Sequence, residues 1–178
     1  MIKIELKING DHQQTITFAQ PVRIAEVVDK KLIEEKKIIT YKIEQVYYPS
    51  HQLIEEDCTL EGVSVYTSEG YAIYQDTLIF ILCKAFYNVI SKDKKLIVEH
   101  SIGDGVFCEV LDYNFSQQDV DKLGREMHSI IDSAFPIVKI NLKPDEVEEM
   151  VRKWHRDDFV KVMKYKNIDM YRCGDYYD

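Results

Sequence analysis

The sequence predicts an α+β protein of two small domains, on three observations. Apolar residues alternate with polar ones at the start (Ile2, Ile4, Leu6, Ile8), the period of a half-buried strand. Later ones recur every three or four positions (Leu123, Met127, Ile130), the period of an amphipathic helix. Between these regions "TSEG", at 67–70, is small and polar and reads as a linker. The 178 residues are 46% hydrophobic and 30% charged, enough for one substantial core or two small ones.

The first strand turns at "NGD" (Asn9, Gly10, Asp11), a strong hairpin signal, and resumes through Thr15, Ile16, Thr17 and Phe18. After Pro21, the spacing of Ile24, Val27, Val28 and Leu32 predicts one helix. A third strand is expected along "IITYKIEQVYY", a loop at "PSHQ", and short strands around "QLIEEDC" and "GVSVYT". Strand, strand, helix, strand, strand within about 66 residues is the order of a β-grasp module.

The second region begins with "YAIYQDTLIFILCKAFYNVI", which is apolar around most of a helical circumference yet carries Gln75, Asp76, Lys84 and Asn88. It is too polar for a bilayer and suits a helix buried in a core. "KKLIVEH" and "GVFCEVL" are expected as strands joined by the turn "SIGD". Ser116, with Asp119 three residues on, opens a helix, because a serine oxygen accepts from a free backbone N–H and an acid suits the helix N-terminus. "PIVKINL" is a strand, Pro144 opens another helix, a short helix is expected near "DDFVKVMKY", and "DMYRC" is a final strand.

The formal charge is −8, and neither half is basic: 8 basic residues face 11 acidic ones through residue 66, and 15 face 20 after it. Generic nucleic-acid binding, DNA above all, is therefore disfavoured. No apolar run reaches the length of a membrane span and no signal peptide is recognisable, so a cytoplasmic location is expected. The four cysteines (Cys58, Cys83, Cys108, Cys173) are far apart, as suits reduced thiols.

Several chemistries can be tested on the residues. No GxxxxGK[ST] string is present to cradle phosphates, and "GDG" at 103–105 has Cys108 where a dinucleotide loop needs its third glycine. His12, His51, His100, His128 and His155 never fall at metal-binding helical spacing, and no metal site is expected. Cys108 or Cys173 with His100 as base would suffice for a nucleophile if the fold brought them together; otherwise they are buried packing residues. A basic patch at Arg152, Arg156, Lys161 and Lys164 is either a solvated helix face or a contact for RNA, nucleotide or an acidic partner.

Three stretches, "KIELKING", "VEHSIGDGVFCEV" and "YRCGDYYD", resemble the N-terminal region of the uridine-kinase-like nucleoside kinases of bacteria. In that family a TGS domain, which is a ubiquitin-like β-grasp, and a domain like the second additional domain of threonyl- and alanyl-tRNA synthetases precede a P-loop kinase of the phosphoribulokinase/uridine kinase type. The resemblance implies a TGS-like domain at 1–66, a linker at 67–70, and an editing-like α+β domain at 71–178 that would be cut short at its C-terminal end. In threonyl-tRNA synthetases the corresponding domain edits mischarged tRNA with HxxxH on its first helix and a later CxxxH. Here Asp76 and Phe80 stand where the two histidines would be, and the later motif would fall beyond Asp178.

The expectation is then a non-catalytic regulatory or recognition region of an ATP-dependent uridine kinase. Its C-terminal kinase domain would be the partner, nucleotide or RNA a further ligand, and ATP and magnesium would belong to that kinase domain. The segments "EHSIGDG" and "YRCGD" would line a cleft offering His100, Ser101, Asp104, Arg172, Cys173 and Asp175, or else buttress a domain junction. Arg172 would clamp a phosphate or carboxylate through paired donors. Two alternatives stand beside this reading: an aminoacyl-tRNA deacylase using Asp76, His100 and Cys108, and a pure protein or RNA interaction module.

Overall fold

The computed structural model describes residues 1–103, 105–153 and 167–177. The architecture is mixed α+β, and the chain divides into two compact units, Met1–Thr77 and Leu78–Asp178.

In the first unit β1 (Ile2–Ile8) and β2 (Asp11–Phe18) form the expected hairpin. Asn9 and Gly10 both take positive φ (50° and 87°), as a two-residue turn matching the strand twist requires. A bulge between Leu6 and Lys7 shifts the register. β3 (Val22–Arg23) leads into α1 (Ile24–Val27) and α2 (Lys30–Lys36).

The single helix expected here is broken because Asp29 is extended and caps α2, its carboxylate accepting from Lys31 N at 2.7 Å. The single strand expected over "IITYKIEQVYY" is likewise two, β4 (Ile38–Ile43) and β5 (Val46–Tyr48), folded back at Glu44, which takes φ 55°. β6 (Leu53–Ile54) pairs only with β3, and β7 (Cys58–Ser64) returns to the middle of the sheet.

The sheet order is β2-β1-β7-β4-β5, with β1 and β7 parallel and every other pair antiparallel. Ile2, Ile4, Leu6 and Ile8 point inward at alternate positions and share one core with Ile24, Val27, Val28, Ile38, Tyr41, Ile54 and Leu60. Burying such side chains is worth about 1.5–3 kcal/mol each, so this alternation is what sets the strand's register.

α3 (Ser68–Val89) is longer at its start than the sequence suggests, and its residues are divided between the two units after Thr77. Residues 67–70, expected as a linker, are its capped beginning: Gly70 N donates to Thr67 Oγ1 at 3.0 Å, and Tyr71 N donates to Thr67 O at 2.8 Å. A threonine ahead of an acid is a cap as well as a loop signal, and here the helix claims it.

In the second unit β8 (Ile97–Ile102) and β9 (Gly105–Glu109) make a two-stranded sheet of their own. α4 (Gln117–Asp132) follows, opened by the expected Ser116 cap, and then β10 (Val138–Leu142) and α5 (Pro144–Lys153). β11 (Ile168–Cys173) and β12 (Tyr176–Tyr177) complete a three-stranded antiparallel sheet, β10-β11-β12. Phe80, Ile81, Ala85 and Phe86 of α3 share a core with Val110, Leu123, Ile130 and Cys173. The short helix expected near "DDFVKVMKY" lies outside the described residues.

Candidate functional site

Phe80, Lys84 and Tyr87 lie at i, i+4 and i+7 of α3 and so share one face. The turn between β11 and β12 meets that face. Gly174 takes φ 63°, a conformation open to glycine at low cost, and the turn it makes directs Asp175 and Tyr176 back to the helix. Lys84 Nζ donates to Asp175 Oδ1 at 3.2 Å. The Tyr176 ring stands edge-on to Phe80 with centroids 5.4 Å apart, lies 5.5 Å from Tyr87, and is 5.9 Å from Lys84 Nζ. Lys92 Nζ sits 5.3 Å over the other aromatic wall, Tyr87. The ammonium of Lys84, followed by burial acting the other way, sets the Asp175 carboxyl, which is held below the ordinary value.

Cys173 is buried, its thiol 4.0 Å from the carbonyl oxygen of Phe135. It is part of the core rather than of an open surface. Arg172, its neighbour on β11, is exposed and pairs across the sheet with Val138 and Tyr177. Thus the "YRCGDYYD" ending delivers Cys173, Asp175 and Tyr176 to α3 and leaves Arg172 facing away from water only along its backbone.

The "EHSIGDG" hairpin is built differently. His100 pairs with Phe107, their rings 5.5 Å apart, while Val98 pairs with Cys108, because the register shifts between Val98 and His100. Residues paired across strands share a face, and successive residues alternate faces, so His100 and Cys108 project to opposite sides of the hairpin. Burial also pushes the Cys108 thiol up, away from the nucleophilic thiolate. Ser101 is exposed opposite Val106.

Among the described residues no hydrogen bond, ion pair or ring contact joins His100 or Ser101 to Arg172, Cys173 or Asp175. Asp104 lies outside the described residues, as do Arg156, Lys161 and Lys164 of the basic patch; Arg152 is in α5, with its side chain undescribed. Asp76 is exposed on α3. Among the described residues no group of three or more His, Cys, Asp or Glu side chains could hold a metal, and no helix is long and apolar enough to cross a membrane.

The sequence reading passed over Phe80, Tyr87 and Tyr176 because aromatics at helical spacing look like core. Lys84 was the available signal, a charge inside an apolar run.

No protein-family model matches the chain. Curated relatives do align with it from end to end. The relatives are threonine–tRNA ligases. That of Thermotoga maritima is 24% identical over 99% of this chain, that of Desulforamulus reducens 25% over 100%, and that of Natranaerobius thermophilus 26% over 100%. The chain spans 28% of the length of each of these three ligases.

These relatives correct the expectation of a uridine-kinase front end and, with it, the expected C-terminal kinase partner. The physical reason is that the two protein classes share the same two-module start, so "VEHSIGDGVFCEV" and "YRCGDYYD" do not separate them. The P-loop that would single out a kinase is not among these residues.

Proposed function

We propose that this chain is the N-terminal, tRNA-handling part of a threonine–tRNA-ligase-like protein, with a TGS-type β-grasp followed by a module related to the synthetases' editing domain. The observation that carries this reading is alignment to threonine–tRNA ligases through 99–100% of the chain, both units included. The strand order β2-β1-β7-β4-β5 supports the first half: the opening hairpin and the returning strand become parallel neighbours at the centre of the sheet, as in a β-grasp.

For the second half we assign recognition of tRNA rather than ester hydrolysis. On the resemblance, Phe80 stands in place of a histidine, and its ring packs against Tyr176. A phenyl ring has no lone pair for a metal and no proton to relay. His100 and Cys108, on opposite faces of their hairpin, do not form a nucleophile and base.

A second reading, an aminoacyl-tRNA deacylase, is favoured by one observation: Asp76 is exposed on α3, where a carboxylate has access to solvent as a general base. One experiment separates the two. The purified chain is mixed with threonine-specific tRNA at low salt, and with the same tRNA carrying a wrong amino acid. Saturable binding with ester loss at the spontaneous rate is expected. Ester loss above that rate, abolished by Asp76→Asn, transfers the assignment to the deacylase; failure to bind tRNA at all removes both.

A further inference from the structure

Lys84 is a buried ammonium with more donors than the fold uses. Its side chain keeps 9% of its exposure, and among the described residues its one hydrogen-bond acceptor is Asp175 Oδ1, at 3.2 Å. A lysine has three donors, and buried polar groups ordinarily find partners for them. The Tyr176 ring, 5.9 Å from Nζ, is only a weak supplement.

The partner is placed quite unlike the lysine. Asp175 has a side chain 80% exposed and rides on a tight turn beside Gly174. A β-carbon on Gly174 would come within 3.8 Å of Lys84 Nζ, so the bare glycine backbone leaves space beside the ammonium. Lys92, over the Tyr87 ring at 5.3 Å, brings a second cation to the same aromatic group. Two ammonium groups against one carboxylate make a local positive excess in a chain whose net charge is −8.

We propose that Lys84 is the seat of a small-oxyanion site, for a phosphate or carboxylate group, and that Asp175 is its displaceable internal occupant. When the Gly174–Asp175 turn swings outward, the Asp175 carboxylate returns to water, which costs little for a group already exposed. The incoming oxyanion then takes the direct bond and adds acceptors for the spare donors, with Phe80, Tyr87 and Tyr176 as the dry wall that strengthens such contacts. The site does not depend on the tRNA assignment, since any oxyanion of this size would exercise it.

The test is a titration of the full 178-residue chain with inorganic phosphate, followed by backbone amide NMR, with sodium chloride at matched ionic strength as the reference. Saturable shifts are expected at Lys84, Gly174, Asp175 and Tyr176. Asp175→Asn removes the internal competitor and should tighten phosphate binding by about threefold or more, the scale of an exposed ion pair. Lys84→Met should abolish saturation. Should that variant not fold, Lys84→Arg keeps the cation and should still saturate. Phosphate binding that is unchanged or weaker in Asp175→Asn overturns the proposal, as do shifts that chloride reproduces.

Discussion

Gly70 sits in the first turn of α3, and the backbone carbonyl of Ser64 occupies the place where its β-carbon would be. Backbone cannot step aside as a flexible side chain can. Gly70→Ala is therefore expected to destabilise the protein by about 1–3 kcal/mol, the usual cost of overpacking, as measured by urea denaturation. Gly124, with open space around its position, is the control, and Gly124→Ala in the interior of α4 should be neutral or slightly stabilising. Glycine at 70 looked like linker composition in the sequence, because the contact that requires it comes from six residues earlier in a different element. The same limit applied to Lys84: its charge was visible in the apolar run, but its carboxylate partner is 91 residues away. A cross-sheet register decided Cys108 and His100, and no spacing rule reveals a bulge between Val98 and His100.

Elements whose ends are set by neighbouring residues were legible, and α4 is the best case. Ser116 Oγ accepts from Asp119 N at 3.2 Å, and Ser116 N donates back to Asp119 Oδ2 at 3.0 Å, the reciprocal box expected from the pair. Ser116→Ala should cost about 1 kcal/mol at neutral pH. The Ser116 hydroxyl, and then its backbone N–H, hold the Asp119 carboxyl below the ordinary value. A carboxyl depressed in the folded state stabilises above its unfolded pKa, about 3.9, and that contribution is lost as pH falls through the folded value. The penalty of Ser116→Ala, followed by guanidinium denaturation, should accordingly shrink between pH 7 and pH 3; a penalty constant with pH would remove Asp119 from the cap. Elements that depend on an unannounced turn were not legible. Glu44 accepts φ 55° without the glycine or asparagine that usually marks such a turn, so β4 and β5 read as one strand. Asp29 broke α1 from α2 although apolar spacing ran through it, because a local cap outweighed the period.

At the scale of the whole molecule, a net charge of −8 constrains how it can meet tRNA. Contact has to be local, through few phosphates, each contributing about −0.9 to the slope of log affinity against log salt. The slope for threonine-specific tRNA should therefore be shallow, about −1 to −3, by filter binding across a salt series. A slope several units steeper would indicate a broad basic face and contradict the local-contact account. The sequence by itself determined the α+β class, the opening hairpin, the α4 cap and the general lack of a phosphate-binding loop, because each of these rests on contacts within a few residues. Only the tertiary structure decided that Asp175 and Tyr176 return to Lys84 and Phe80, that Cys173 is core, and that His100 and Cys108 part company. Those outcomes depend on sheet register and on partners tens of residues apart, and such pairings leave no periodic trace in a single chain.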